Sequence, residues 1–231
     1  MDKPLVFFHI GCVGLWKDVV PKMLKSLASS GLADHATFYV GILGSKQDQH
    51  LVKSLCKSVL PRLYVHTTED ESLYEHFTLE WLQTIVRPLT SRHPVLYMHT
   101  KAVTRNEANF HTWRDYMVHW TVTRWKDMVK VLTDNDALGV SVNYRGGPKP
   151  HFAGNLWWST SDHLKSLPST HEVEARLKPR FKYVAPEMWL LWNAPLDRVF
   201  SLHQPLHRIR CHGISDDYKD VAFNPKKVSS F

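Results

Sequence analysis

The chain has 231 residues, an apolar share of 43% and a formal net charge of +7. That length and composition suit one large globular domain with its own core and exclude a disordered or fibrous chain. The positive charge favours a phosphorylated or polyanionic partner, but no run of consecutive Lys or Arg marks a nucleic-acid arm, so no nucleic-acid partner is expected.

Leu5 to Ile10 is a continuous apolar run, the pattern of a buried strand, and it ends in His9-Ile10-Gly11-Cys12-Val13-Gly14. Trp16, Val19, Val20, Met23, Leu24 and Leu27 then recur at helical spacing up to a stop at Gly31. Ala36 to Leu43 reads as a second strand, followed by a helix carrying Leu51, Leu55, Val59 and Leu60. Arg62 to His66 reads as a third strand, ending in Thr67-Thr68-Glu69-Asp70-Glu71, where Thr68 is placed to cap the next helix. That helix is predicted over about Ser72 to Leu89, with Leu73, Phe77, Trp81 and Ile85 on its buried stripe.

The stretch His93 to Thr104, HPVLYMHTKAVT, gives a fourth strand that stops abruptly at His99-Thr100-Lys101. Ligands of open α/β sheets sit beyond the carboxyl ends of the strands, so Lys101 is read as a cation awaiting an anion. One long helix is predicted to about Leu132, with Arg114 in its first turn and Trp120 in the core, and Ala137 to Tyr144 is read as a fifth strand. The β-α order predicts an α/β fold with a mostly parallel central sheet flanked by helices. One domain over 1–231 is expected, with a nucleotide-binding half over about 1–105 and a second half over about 106–231.

Two later stretches carry further chemistry. His151-Phe152-Ala153-Gly154-Asn155-Leu156-Trp157-Trp158 gathers an imidazole, an amide and two indoles around one glycine, and as a strand it sends Trp157 and Trp158 to opposite faces. Glu187 follows Pro186 at the start of an apolar helix, where it is either a partner of the helix dipole or a hydroxyl-orienting group or base whose pKa partial burial raises into a useful range. Nine Trp, eight Tyr and ten Phe supply core area and flat faces on which sugar rings or bases can stack.

The ordered segments Tyr97 to Ala102, Trp113-Arg114, His151 to Trp158 and Glu187-Met188-Trp189 resemble the motifs of small GT-A-type glycosyltransferases, over about residues 4 to 195. Relatives of that type occur in bacteria and large DNA viruses, among them the amino-terminal sugar-transfer domain of a chlorella-virus glycan-building protein. The resemblance implies a single nucleotide-binding sheet, a nucleotide-sugar donor, UDP-linked, and a glycan or glycoprotein acceptor. It implies donor contacts from His9, Ile10, Gly11, Thr67, His99, Thr100, Lys101 and Arg114. Sugar and acceptor contacts would come from Gly154, Trp157 and Trp158, and catalytic roles would fall to Glu187, Asn155 and His151.

GT-A enzymes commonly hold Mn²⁺ or Mg²⁺ with an Asp-x-Asp after the fourth strand, where this chain has His99-Thr100-Lys101. Metal dependence is therefore open, with His99, the Glu69-Asp70-Glu71 acids and His203, His207 or His212 as candidate ligands of no diagnostic spacing. Lys101 with Arg105 or Arg114 would do part of the ion's work electrostatically. The alternative is a catalytically inactive binder of glycans or nucleotides. Cys12, Cys56 and Cys211 make no Cys-x-x-Cys, and neither an export signal nor ~18 consecutive apolar residues occur, so a soluble protein of the cytoplasm is expected, the host's if the source is viral.

Overall fold

The computed structural model describes residues 2–147, 149–203, 216–221 and 223–228. The chain opens with β1 (Leu5–Gly11), α1 (Trp16–Ser29), the short α2 (Leu32–His35), β2 (Thr37–Leu43), α3 (Lys46–Val59) and β3 (Leu63–Thr68). Then come α4 (His76–Val86), β4 (Pro94–His99), α5 (Ala108–Val118), α6 (Trp125–Asp134), β5 (Gly139–Ser141), β6 (Tyr144–Arg145) and β7 (His151–Phe152). The remainder holds β8 (Trp157–Thr160), α7 (Ser161–Ser166), α8 (Thr170–Ala175), α9 (Ala185–Trp189), β9 (Val199–Ser201) and β10 (Lys226–Lys227).

Eight strands form one sheet in the order β10-β9-β5-β8-β4-β1-β2-β3, and β6 pairs with β7 apart from it. The pairs β1/β2, β2/β3, β1/β4 and β5/β9 are parallel, as an α/β fold requires. The strand β8 runs antiparallel between β4 and β5. Alternation along the strands divides the core in two. Val6, Phe8 and Ile10 of β1 with Leu96, Met98 and Trp158 join the side covered by α1, α3, α5 and α6. Leu5 and Phe7 with Val95, Tyr97 and Trp157 join the side covered by α4, α7 and α9.

Two helices depart from their predicted form. A 3₁₀ turn over Glu71–Leu73, capped by Asp70 rather than Thr68, and a positive φ of 43° at Tyr74 delay α4 until His76. Its buried face is then Leu79, Leu82, Gln83 and Val86, while Phe77, Trp81 and Ile85 are only half-buried. The long helix is broken by a π-helical turn over His119–Thr123. There the Trp158 indole donates to the Thr121 carbonyl at 2.7 Å and the Thr121 hydroxyl donates back to Met117 O at 2.8 Å, which disturbs the regular ladder.

Cys12 and Cys56 are buried and unpaired, and burial pushes both thiols up to about 12. Among the described residues no helix is long and apolar enough to cross a membrane. Cys211, His207 and His212 lie outside the described residues.

Candidate active site

Neighbouring strands β1 and β4 run parallel with His9 in register with His99, the last residue of β4, and two bonds stitch the segments that follow. Thr100 N donates to His9 O at 3.0 Å and Gly11 N donates to the Thr100 hydroxyl at 3.1 Å. Beyond this edge, where β2 and β3 lie to one side of β1 and β8 to the other side of β4, is a cavity of about 510 Å³. His9, Gly11, Glu71, Glu75, His99 and Thr100 line it. This is the position at which open α/β sheets bind ligands.

Glu75, just ahead of α4, is the hub of the site. Its Oε2 accepts from the Tyr97 hydroxyl at 2.9 Å and from Asn155 Nδ2 at 2.6 Å, while Oε1 faces His99 Nδ1 at 3.4 Å. The other ring nitrogen of His99 donates to Gly154 O at 2.8 Å. Burial, followed by the charge of Lys101, pushes the His99 imidazole down to about 3, so it is neutral. Burial likewise pushes the Glu75 carboxyl up, although Lys101 and His9 oppose it. His9 is held by Thr78, Nδ1 to Oγ1 2.8 Å, and burial pushes it down to about 4. That contact depends on Gly41, where a Cβ would stand 2.1 Å from Thr78 Oγ1.

Lys101 Nζ donates to Glu187 Oε1 at 2.8 Å and lies 5.1 Å from the centre of the Trp113 ring. Lys101 is thus already matched to a carboxylate. Burial pushes Glu187 up, but Lys101 and then His151 pull harder, and the net pKa is lowered. The expectation of a carboxyl raised into the range of a base is corrected: in this state Glu187 is an anion that accepts hydrogen bonds. Arg114 is 2% exposed and donates from Nη1 to Lys101 O at 3.3 Å, so it braces the loop instead of meeting a phosphate.

A second cavity of about 600 Å³ adjoins the first, and Tyr183 lines both. Arg105, Arg145, His151, Gly154, Trp113 and Glu187 line it, so the cations gather on this side of the Lys101–Glu187 pair. Gly154 has φ of 100°, and a Cβ there would stand 2.2 Å from Met117 Sδ, so only glycine lets the turn come this close to α5. A larger hollow of about 750 Å³ opens at the opposite edge of the sheet, near Arg92, Thr160 and Arg198. Arg92 and Arg198 are joined there through Asp136.

Several predicted site residues lie elsewhere. Trp157 and Trp158 are 1% and 0% exposed, one in each core layer, and neither offers a face to a sugar. Asn155 is fully buried, with Nδ2 donating to Glu75 and Oδ1 accepting from Trp157 Nε1 at 2.8 Å, so it positions Glu75 and lies out of a substrate's reach. The Ile10 side chain is in the core, and Thr67 is exposed on β3, two strands away from β1. His99 Nδ1 faces the Glu75 carboxyl and its Nε2 donates to Gly154 O, while His203 packs between Tyr116 and Trp120. Of Glu69, Asp70 and Glu71, Glu71 alone lines the cavity, and Asp70 caps the turn. Among the described residues, the oxygen-rich cage that Mn²⁺ or Mg²⁺ prefers is not assembled at this edge.

Residues 15–215 match the family described as a domain of unknown function, DUF8361. The chain belongs to that family. No curated protein matches it significantly. Among solved structures it is similar to the galactosyltransferase LgtC in complex with donor and acceptor sugar analogs, at 12% identity and a TM-score of 0.43. The likeness covers 78% of this chain and 66% of that one, so the chain spans just under two thirds of that enzyme's length.

Sequence reasoning about this DUF8361 chain missed Glu75 and Tyr183. Nothing local marks Glu75, which sits in an ordinary polar turn and acquires its partners from residues 22 and 80 positions away. Tyr183 is 78% exposed, and a large aromatic left in solvent between two cavities is a signal only once the fold is known.

Proposed function

We propose that this chain transfers a sugar from a nucleoside-diphosphate sugar, with uridine as the nucleoside, to a hydroxyl of a glycan or glycoprotein. The observation that carries the reading is the pair of adjoining cavities at the carboxyl edge of β1 and β4, with His99 lining one and its partner Gly154, together with Glu187, lining the other. Two substrates that must meet at one bond need such a division. The motif resemblance at Tyr97 to Ala102, His151 to Trp158 and Glu187 to Trp189 supports the same reading.

In this account the nucleoside occupies the 510 Å³ cavity, against neutral His9, the Gly11 backbone and the Glu71 carboxylate. The diphosphate lies at the Lys101 end, where Arg105 and Arg145 add charge from the second cavity. The acceptor enters along Tyr183 and Trp113, whose buried indole nitrogen has no hydrogen-bond partner among the described residues. The bond from the anomeric carbon to the phosphate oxygen breaks with its electron pair leaving on the diphosphate. A bond forms to the acceptor oxygen, and that hydroxyl loses its proton.

Glu187 takes that proton under a condition set by the donor. A phosphate drawing Lys101 toward itself removes the charge that depresses the Glu187 carboxyl, and burial, the opposing influence, then raises it. The base is thereby switched on by a filled donor site. Lys101 neutralises the leaving charge in a partly dry site, where such a group is worth more than in water.

Thermal-shift titration with a panel of nucleotide sugars, followed by donor hydrolysis with and without Mn²⁺, tests the reading. Ligand at 100 times its Kd stabilises by about 2.7 kcal/mol. A UDP-sugar that raises the melting temperature and is hydrolysed, with hydrolysis lost and binding kept in Glu187→Gln, is the expected result. No shift with any nucleotide sugar would refute donor binding, and binding without turnover in either condition would leave a non-catalytic binder.

A further inference from the structure

Away from both cavities, α4 meets the six-residue α8. The sequence Ser169-Thr170-His171-Glu172 begins α8 with a capping box: the Ser169 hydroxyl accepts from Glu172 N at 3.2 Å, and Ser169 N donates to Glu172 Oε2 at 2.7 Å. The cap fixes a helix too short to stand alone. His171 and Glu174, three residues apart, then share one face of it.

Opposite stands His76, the first residue of α4 and 8% exposed. Its ring stacks on that of His171, with centroids 4.6 Å apart and planes 6° from parallel. Glu174 Oε2 lies 3.8 Å from His76 Nε2 and 3.6 Å from His171 Nδ1. These separations are too long for hydrogen bonds. The three ligand atoms all lie within 4.8 Å of one another.

The His76 tautomer follows from its neighbours. The Thr170 hydroxyl donates its only proton to Glu80 Oε1 at 2.6 Å, so it can only accept from His76 Nδ1, 2.7 Å away. Nε2 is therefore left with a free lone pair, 3.8 Å from Glu174 Oε2. Metal-bound imidazoles are oriented this way, their second nitrogen donating to a carboxylate or a group tied to one. Glu80 and Thr170 supply that support here.

We propose that His76, His171 and Glu174 bind one divalent transition-metal ion of the Zn²⁺ class, with water completing the coordination. Two imidazoles and one carboxylate suit Zn²⁺ and its neighbours, whereas Mg²⁺ and Ca²⁺ require oxygen ligands. Tetrahedral coordination at zinc distances brings ligand atoms to about 3.3 Å of one another, so the site closes by roughly 1.5 Å at most. The His171 side chain, 58% exposed, and Glu174, 34% exposed, have room for that movement and leave the ion a way in. The bound ion ties α8 to the start of α4, one residue from Glu75. None of the three ligands lines either cavity, and the proposal stands independently of sugar transfer.

The test uses the full chain, freed of metal with EDTA, desalted and titrated with ZnCl₂ by calorimetry. One saturable site per chain is expected, with His171→Ala and Glu174→Gln each weakening it at least tenfold. Thr170→Val, which removes the orienting acceptor, is expected to weaken it about 10- to 100-fold. Co²⁺ in place of Zn²⁺ should give visible ligand-field bands that disappear in His171→Ala, and excess Mg²⁺ should leave both signals unchanged. Because His171 is largely exposed, His171→Ala should unfold in EDTA at the same midpoint as the parent chain, which separates loss of a ligand from loss of fold. Absence of saturable binding would overturn the proposal, and so would Zn²⁺ affinity equal in the parent chain and His171→Ala.

Discussion

Lys101→Met removes one member of an ion pair whose atoms are 2.8 Å apart and whose side chains are only 18% and 19% exposed. Stranding a charge in a buried pair costs about 3–5 kcal/mol, and because part of each side chain still meets water we expect about 3 kcal/mol. In a chain of this size that lowers the melting temperature by about 6–12 °C. Lys101→Met/Glu187→Gln, with neither charge, should recover much of the loss, giving a coupling of about 2 kcal/mol in a double-mutant cycle measured by urea unfolding at pH 7. The pH dependence has a definite sign. Burial raises the Glu187 carboxyl and Lys101 lowers it further than burial raises it, so the folded pKa lies below the unfolded one. The pair's stabilisation is therefore full above the ordinary carboxylate value and is lost as the pH falls through the folded value. The parent chain and Lys101→Met should converge in acid. Additive single-variant losses at pH 7, or a gap that persists in acid, would show that the two charges do not depend on each other.

His9 and His99, pushed by burial down to about 4 and about 3, remain neutral where the unfolded chain binds a proton to each. Each should remove about 1.4 kcal/mol of stability per pH unit as the pH falls from roughly 6.5 to 4; urea unfolding across that range should show His9→Asn losing one proton's worth of slope, and an unchanged slope would contradict it. Gly41→Ala should destabilise by about 1–3 kcal/mol by forcing Thr78 off His9, with Thr78→Ala in the same chain restoring space and part of the stability. Failure of that rescue would locate the strain elsewhere. Trp157→Phe leaves the buried Asn155 Oδ1 without its donor, a loss of about 1–3 kcal/mol by chemical unfolding with nucleotide-sugar affinity unchanged. A tenfold drop in affinity without that loss of stability would return the indole to the sugar site.

The first half of the fold was legible because β1, β2 and β4 are apolar runs long enough to show themselves and are bounded by Gly, His and polar turns. The second half was not, since its strands span two to four residues and carry no readable period. The sequence allowed an antiparallel strand with Trp157 and Trp158 on opposite faces, but the place of β8 between β4 and β5 arises from long-range pairing. At the site, His9, His99, Lys101 and Glu187 stood out as polar groups ending or interrupting apolar segments, and the fold brings them to one edge. Asn155 and the two tryptophans misled because burial decides whether a polar or aromatic side chain serves a ligand or the core. The sequence shows the residue type, and packing by distant segments sets the burial.

The π-helical turn at His119–Thr123 also accounts for a spacing that looks irregular in the sequence. Trp113 and Met117 before it, Trp120 within it and Trp125, Met128 and Val131 after it all reach the core, although Trp120 and Trp125 are five positions apart. An α-helix advances about 100° per residue, so deleting one residue there to restore ideal winding would rotate α6 by that angle and turn its apolar stripe toward solvent. The surplus residue works as a phase adjuster that keeps two helical faces aligned on one sheet.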